Sequence, residues 1–197
     1  MFRLFQLSIL SIVFILHFSC TKVEDPTNDN PDVVSVQIDS TLSSFYPAAG
    51  PGFESIFSFT IPNTTSFDID LYWYPTMPHG IYLHFNNLNG DVLIDNNGCI
   101  LAFDSGIKID STLAGNWSGT TDGAFAYDYV SNPSANKGNL AGKGDKYIVF
   151  RAFSNIEPHL KYYAWMRVRV SENGRSVQVL SLAYQKNPNI SLRTGEL

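Results

Sequence analysis

Outside its first twenty positions, the residues of this chain that could do chemistry are three histidines, two loops near known motifs and a crowd of aspartates. None falls into a reactive pattern. His79 and His84 are five apart, so on one extended strand they face opposite sides and cannot chelate together, and His159 is remote from both. The stretch Lys137-Gly138-Asn139-Leu140-Ala141-Gly142-Lys143-Gly144 has the glycines and lysines of a phosphate-cradling loop. Its spacer between Gly138 and Gly142 is one residue short, however, and Gly144 stands where a magnesium-holding Ser or Thr is needed. In Gly115-Asn116-Trp117-Ser118-Gly119 the serine sits one place away from that of a nucleophile elbow, and no strand-to-helix context surrounds it. Asp91, Asp95, Asn96 and Asn97 offer oxygens, but not at the spacing of a calcium loop. Glycoside hydrolysis needs two carboxylates within roughly 5–10 Å. Thirteen aspartates and five glutamates make many pairs conceivable and single out none. The expectation is no catalytic residue, no metal site and no cofactor, with binding favoured over catalysis.

Aromatic residues give a more positive signal. Tyr72-Trp73-Tyr74-Pro75-Thr76-Met77-Pro78-His79-Gly80-Ile81-Tyr82 gathers rings and prolines around a loop, and Trp117 sits among Asn116, Ser118, Thr120, Thr121 and Asp122. Flat aromatic faces bordered by amides and hydroxyls suit sugar rings. Trp117, Trp73, Tyr72, Tyr74 and Tyr82 are therefore the candidate ligand-binding residues, with Trp117 expected to be the exposed one. Trp165 is expected in the core, because alternating aromatics fill sheet interiors.

The elements that must position these residues follow a period of two. Phe67, Ile69, Leu71 and Trp73 alternate with Asp68, Asp70 and Tyr72; Ile81, Leu83 and Phe85 alternate with Tyr82 and His84; Phe125, Tyr127 and Tyr129 alternate with Ala126 and Asp128. Tyr162, Ala164, Met166, Val168 and Val170 alternate with Lys161, Tyr163, Trp165, Arg167 and Arg169. Each is a strand with one apolar and one mixed face. Shorter strands are expected at 33–38, 55–61, 92–94, 100–103, 107–109, 147–153 and 177–184, separated by turn markers such as Asn96-Asn97-Gly98 and Asn173-Gly174. No segment shows helical amphipathicity. The fold class is all-β, a single antiparallel β-sandwich or jelly-roll-like domain.

Composition agrees. Aromatics make up 14% of the chain and charged residues only 16%, a balance that favours strands. Charge is uneven: residues 20–142 carry three basic and fourteen acidic side chains (net −11), and residues 143–197 carry nine and four (net +5). A whole-chain net charge of −5 argues against a nucleic-acid partner.

The first twenty residues speak to location. Arg3 precedes an apolar run of thirteen residues, 4–16, and Ser19-Cys20 follows, then the polar, proline-containing stretch 21–32. Thirteen apolar residues are too few to span a bilayer, which takes about 20. A basic start, a short apolar region and a small residue before the cut describe an export signal. Cys20 looks like the lipid-attachment cysteine of a lipobox, although His17 and Phe18 depart from the usual pattern. The expected organisation is a signal peptide at 1–19, a lipidated Cys20 and flexible tether at 20–32, and the β-domain at 33–197. With Cys20 acylated, Cys99 is left without an intrachain disulfide partner.

A resemblance extends this. Lys143-Gly144-Asp145-Lys146-Tyr147-Ile148-Val149-Phe150-Arg151, then Tyr163-Ala164-Trp165-Met166-Arg167-Val168, then Ala183-Tyr184 and Gly195-Glu196 resemble a strand pattern recurrent in exported Bacteroidetes-type lipoproteins of unknown function. Val149 and Ala164 stand where glycines are usual. The resemblance implies a β-fold and an outer-membrane or cell-surface location, and no activity. Thr21 and the charged cluster Lys22, Glu24 and Asp25 are similar to the surface-export tethers of such proteins. Asp39-Ser40-Thr41 and Asp110-Ser111-Thr112 resemble their O-glycosylation acceptors, which nominates Ser40 and Ser111. The sequence thus points to an envelope module with a membrane contact through Cys20 and a glycan or surface-protein partner. The alternatives are a surface hydrolase and a purely structural envelope protein.

Overall fold

The computed structural model describes residues 30–43, 52–59, 61–64, 67–74, 80–85, 90–118, 122–127, 138–174 and 176–197. Cys20 and the rest of segment 1–29 lie outside them, as do the loop 75–79 with His79, and Lys137. The chain is all-β. A six-stranded antiparallel sheet has the order β1-β11-β10-β9-β5-β7, built from β1 (Val33–Ser43), β5 (Gly90–Ile94), β7 (Asn116–Ser118), β9 (Asp145–Phe153), β10 (Lys161–Val170) and β11 (Ser176–Gln185). A two-stranded ribbon pairs β6 (Lys108–Ile109) with β12 (Leu192–Arg193). The backbones of β2 (Gly52–Phe59), β3 (Phe67–Tyr74), β4 (Gly80–Phe85) and β8 (Asp122–Tyr127) form a four-stranded sheet in the order β2-β3-β4-β8.

The strands with the clearest alternation, β9, β10 and β11, occupy the middle of the large sheet. Residues Tyr162, Ala164, Met166, Val168 and Val170 of β10 join Ile148, Phe150 and Ala152 of β9 in one buried cluster. Tyr163 and Trp165 of β10 join Val149, Leu93 and Ala183 in a second cluster on the opposite face. The sheet is therefore apolar on both sides at this level, where period two predicts one apolar and one mixed face. The second face is covered by the chain between β5 and β7 and by the β6–β12 ribbon, which contribute Ile109, Leu192, Leu101, Phe103, Leu113 and Leu197. Ala164 and Val149, at the positions where the resemblance has glycines, are fully buried and pair with Phe150 and Trp165.

One irregularity holds these faces in phase. Between Arg167↔Ser181 and Val168↔Val179 the β10–β11 register shifts, leaving Leu180 as an extra residue. The β1–β11 register shifts beside it, between Gln37 and Ser40, where Asp39 takes a φ of 50°. A bulge inserts one residue and reverses the alternation beyond it. Val177 and Val179 before it, and Leu182 after it, thereby reach the same cluster.

Most expected strands are present. The tight turn Asn96-Asn97-Gly98 forms, with Asp95 N–H donating to the Cys99 carbonyl at 2.8 Å and Gly98 at φ 78°. Residues 100–103 do not continue as a paired strand. They make two isolated bridges, Ile94↔Ile100 and Phe103↔Tyr147, before the chain crosses the second face. The edge place beside β5 goes to β7, with Leu93 opposite Trp117.

Candidate functional site

On β10 the side chains of Tyr163, Trp165, Arg167 and Arg169 follow one another at every second position, the spacing that puts residues on one face of a strand. The covering segments bury the first two, at 3% and 1% exposure. Arg167 and Arg169 lie past the cover, with side chains 42% and 55% exposed. Asp145, opposite Arg169 in the β9–β10 register, holds both: its Oδ2 accepts from Arg167 Nη2 at 2.5 Å and its Oδ1 from Arg169 Nε at 2.6 Å. The Arg169 hydrogen bond pulls the Asp145 carboxyl below its ordinary value, partial burial opposes this, and Arg167 adds to the lowering. Two cations around one carboxylate leave this part of the face with a net positive charge.

A cavity of about 90 Å³ opens where the cover stops, lined by Ser35, Gln37, Tyr147, Trp165, Arg167 and Ser181 together with Val36, Gly195 and Leu197. Tyr147 stands edge-on to Trp165, with centroids 5.2 Å apart and planes at 83°. Gly195 lies directly on Tyr147: a Cβ there would meet the Tyr147 hydroxyl at 3.0 Å and Ser105 Oγ at 2.5 Å, and its φ of +77° favours glycine as well. Much of the polar capacity of the wall is unused within the described residues. Arg167 commits one terminal nitrogen to Asp145. Gln37 donates its amide to Asp39 at 3.1 Å and keeps its amide oxygen available. Trp165 Nε1–H is buried and has no hydrogen-bond partner among the described residues. A buried donor without an acceptor is rare enough to require an explanation.

A second cavity, of about 300 Å³, lies further along the same strands and is lined by Thr41, Gly142, Gly144, Arg169, Ser171, Ser176 and Gln178 with Val170. Arg167 belongs to the first cavity and Arg169 to the second, and Asp145 ties the two arginines together. The result is a polar strip of hydroxyl, amide and guanidinium groups running along β1, β11 and β10. Neither cavity has an Asp or Glu side chain in its described lining.

The residues expected to bind ligand are placed elsewhere. Trp117 lies in β7, a strand rather than a free loop, and is half-buried. The guanidinium of Arg151 sits 4.4 Å from its ring centroid and 5.5 Å from that of Phe153, and bonds Asp91 through Nη2 at 2.5 Å and Nε at 2.7 Å. One face of the Trp117 ring is thus occupied by Arg151, and its Nε1–H is buried without a partner among the described residues. Tyr72, Trp73 and Tyr74 lie on β3 and Tyr82 on β4, with Tyr72 opposite Tyr82 in register; their side chains are outside the described residues. Trp117 and these four therefore belong to different sheets. Ser40 lies on β1 opposite Val179, just past the bulge. Ser111 is exposed in the turn after β6, and its hydroxyl bonds to Tyr163, whose phenol burial pushes up.

The oxygens considered for calcium have structural duties. Asp91 pairs with Arg151. Asp95 accepts from Asn139, from Cys99 N–H and from Asn97 N–H, bonds that outweigh the raising effect of burial and lower its pKa. Among the described residues no three metal-ligating side chains cluster. Sequence reasoning missed the strip of Arg167, Asp145, Ser35, Gln37 and Ser181. Its signal was two arginines continuing the face of Tyr163 and Trp165, a place where a core strand would carry apolar residues. No known protein family, no curated protein and no solved structure matches this chain.

Proposed function

We propose that this chain is a cell-envelope lipoprotein, anchored at the outer membrane or cell surface through Cys20, whose β-domain is a sandwich of jelly-roll type that binds glycan. The observation that carries the reading is the polar strip: two cavities, side by side over β1, β11 and β10 of a six-stranded sheet, walled by Ser35, Gln37, Arg167, Ser181, Arg169 and Gln178. Sites built on strands hold their geometry better than sites on loops. Hydroxyls, amides and guanidinium groups supply the donors and acceptors that sugar hydroxyls require. A wall without carboxylate side chains favours recognition over the acid–base pair of a hydrolase.

The test is glycan-array binding by the detergent-solubilised full chain beside its Arg169→Ala and Gln37→Ala variants. Both residues are exposed, so the substitutions leave the core intact. The expected result is retention of a defined glycan set, weakened at least about tenfold by loss of a hydrogen bond to a charged donor such as Arg169. Absence of any glycan binding, or binding indifferent to both substitutions, refutes the proposal.

A further inference from the structure

We infer that the glycan is acidic, and that the cavity of about 90 Å³ beside Arg167 receives the carboxylate of a sugar acid. The inference rests on the glycan-binding reading and narrows it to one ligand class. Size comes first. A water molecule occupies about 30 Å³ of liquid, so this space holds roughly three, whereas pockets that enclose whole ligands measure about 300–1,000 Å³. The cavity admits a substituent and leaves the ring that carries it outside, on the strip.

The wall then selects the substituent. Arg167 is held in place by a single bond from one terminal nitrogen to Asp145, and among the described residues nothing accepts from the rest of its guanidinium. A planar fork with free N–H groups matches the two oxygens of a carboxylate through parallel bonds. Ser35 and Ser181 line the same space with hydroxyls for which no side-chain bond is present among the described residues. No Asp or Glu side chain lines the cavity, and Asp145 neutralises only one of the two arginine charges it touches. An anionic end group therefore meets donors on several sides.

The test measures binding of hexagalacturonate and of its fully methyl-esterified form to the full chain in detergent, by calorimetry, for the wild type, Arg167→Lys and Arg167→Gln. Arg167→Gln leaves Asp145 paired with Arg169, and thermal unfolding checks that each variant is folded. The expected result is a preference for the acid over the ester of about ten- to a hundredfold, the worth of a charge-assisted hydrogen bond. Arg167→Lys, which keeps the charge but loses the fork, reduces the preference, and Arg167→Gln abolishes it. Equal binding of acid and ester overturns the inference and leaves glycan recognition standing. An acid preference that survives in Arg167→Gln places the carboxylate elsewhere and overturns it too. If neither of these sugars nor any array glycan binds, the glycan reading fails with it.

Discussion

Arg151 is the residue whose replacement tests most directly how this sheet is held together. Its guanidinium lies between the Trp117 and Phe153 rings and carries two hydrogen bonds to Asp91, with side-chain exposures of 14% for the arginine and 11% for the aspartate. Replacing Arg151 by Met keeps the length of the stem and leaves Asp91 buried without its counter-charge. Removing one partner of a buried pair costs about 3–5 kcal/mol. For a chain of this size each kcal/mol lowers Tm by about 2–4 °C, so a drop of about 10 °C is expected. Asp91→Val strands the arginine and costs about as much. The double variant Arg151→Met/Asp91→Val replaces the pair by apolar groups and returns to within about 2 kcal/mol of the wild type, because the desolvation penalty disappears together with the attraction. Urea unfolding followed by tryptophan fluorescence, with four proteins in one cycle, measures the coupling directly. If each single variant loses less than about 1 kcal/mol, or if the double variant loses the sum of the two, the pair is not the buried strut described here.

Further outcomes follow from other contacts. The Asp145 carboxyl is held below its ordinary value of 3.8 by the Arg169 and Arg167 hydrogen bonds, so its contribution to stability is present above that pH and lost as pH falls through the lowered value. Asp145→Asn is therefore less stable than the wild type at pH 7, by about 1 kcal/mol for so exposed a pair of arginines, and the difference vanishes in acid when unfolding is measured at a series of pH values. Gly195→Ala forces a Cβ to within 2.5 Å of Ser105 Oγ at a positive φ, which costs about 1–2 kcal/mol in backbone strain alone. Hydrogen exchange should rise first in the β6–β12 ribbon. Deleting Leu180 makes the β10–β11 register continuous and keeps Leu182 and Tyr184 on their present face, so cooperative unfolding should persist in calorimetry; its loss refutes the reading of Leu180 as the extra residue.

The strand alternation was legible because β9, β10 and β11 each bury one whole face, which writes period two into the sequence. Burial of the second face was not. Tyr163 and Trp165 share their side of β10 with Lys161, Arg167 and Arg169, and a mixed face looks solvated until the segment that covers half of it is known. Residues 100–103 have strand-forming side chains that alternate between the two clusters, yet they make only the isolated bridges Ile94↔Ile100 and Phe103↔Tyr147 instead of a continuous ladder. Trp117 lies among polar and glycine residues that suggest a loop, and only its pairing with Leu93 makes it a strand. The strip was hidden for the same reason: Asp145 meets Arg169 across 24 residues and Ser35 meets Arg167 across the sheet, separations at which local pattern carries no information.

The bulged strand β1 also sets a direction. Its first residue, Val33, pairs with Gln185, and Asp32 accepts from Lys186 N–H at 2.8 Å, so the segment leading back toward Cys20 leaves the sheet at that end. Gln37 and Thr41, which line the two cavities, follow along the same strand at about 14 Å and 27 Å from Val33 at 3.4 Å per residue. With the lipid proposed at Cys20, the ten peptide units to Asn30 reach at most about 35 Å. The strip then lies at most about 60 Å from the proposed lipid, so its ligand has to come within that distance of the membrane that holds the anchor.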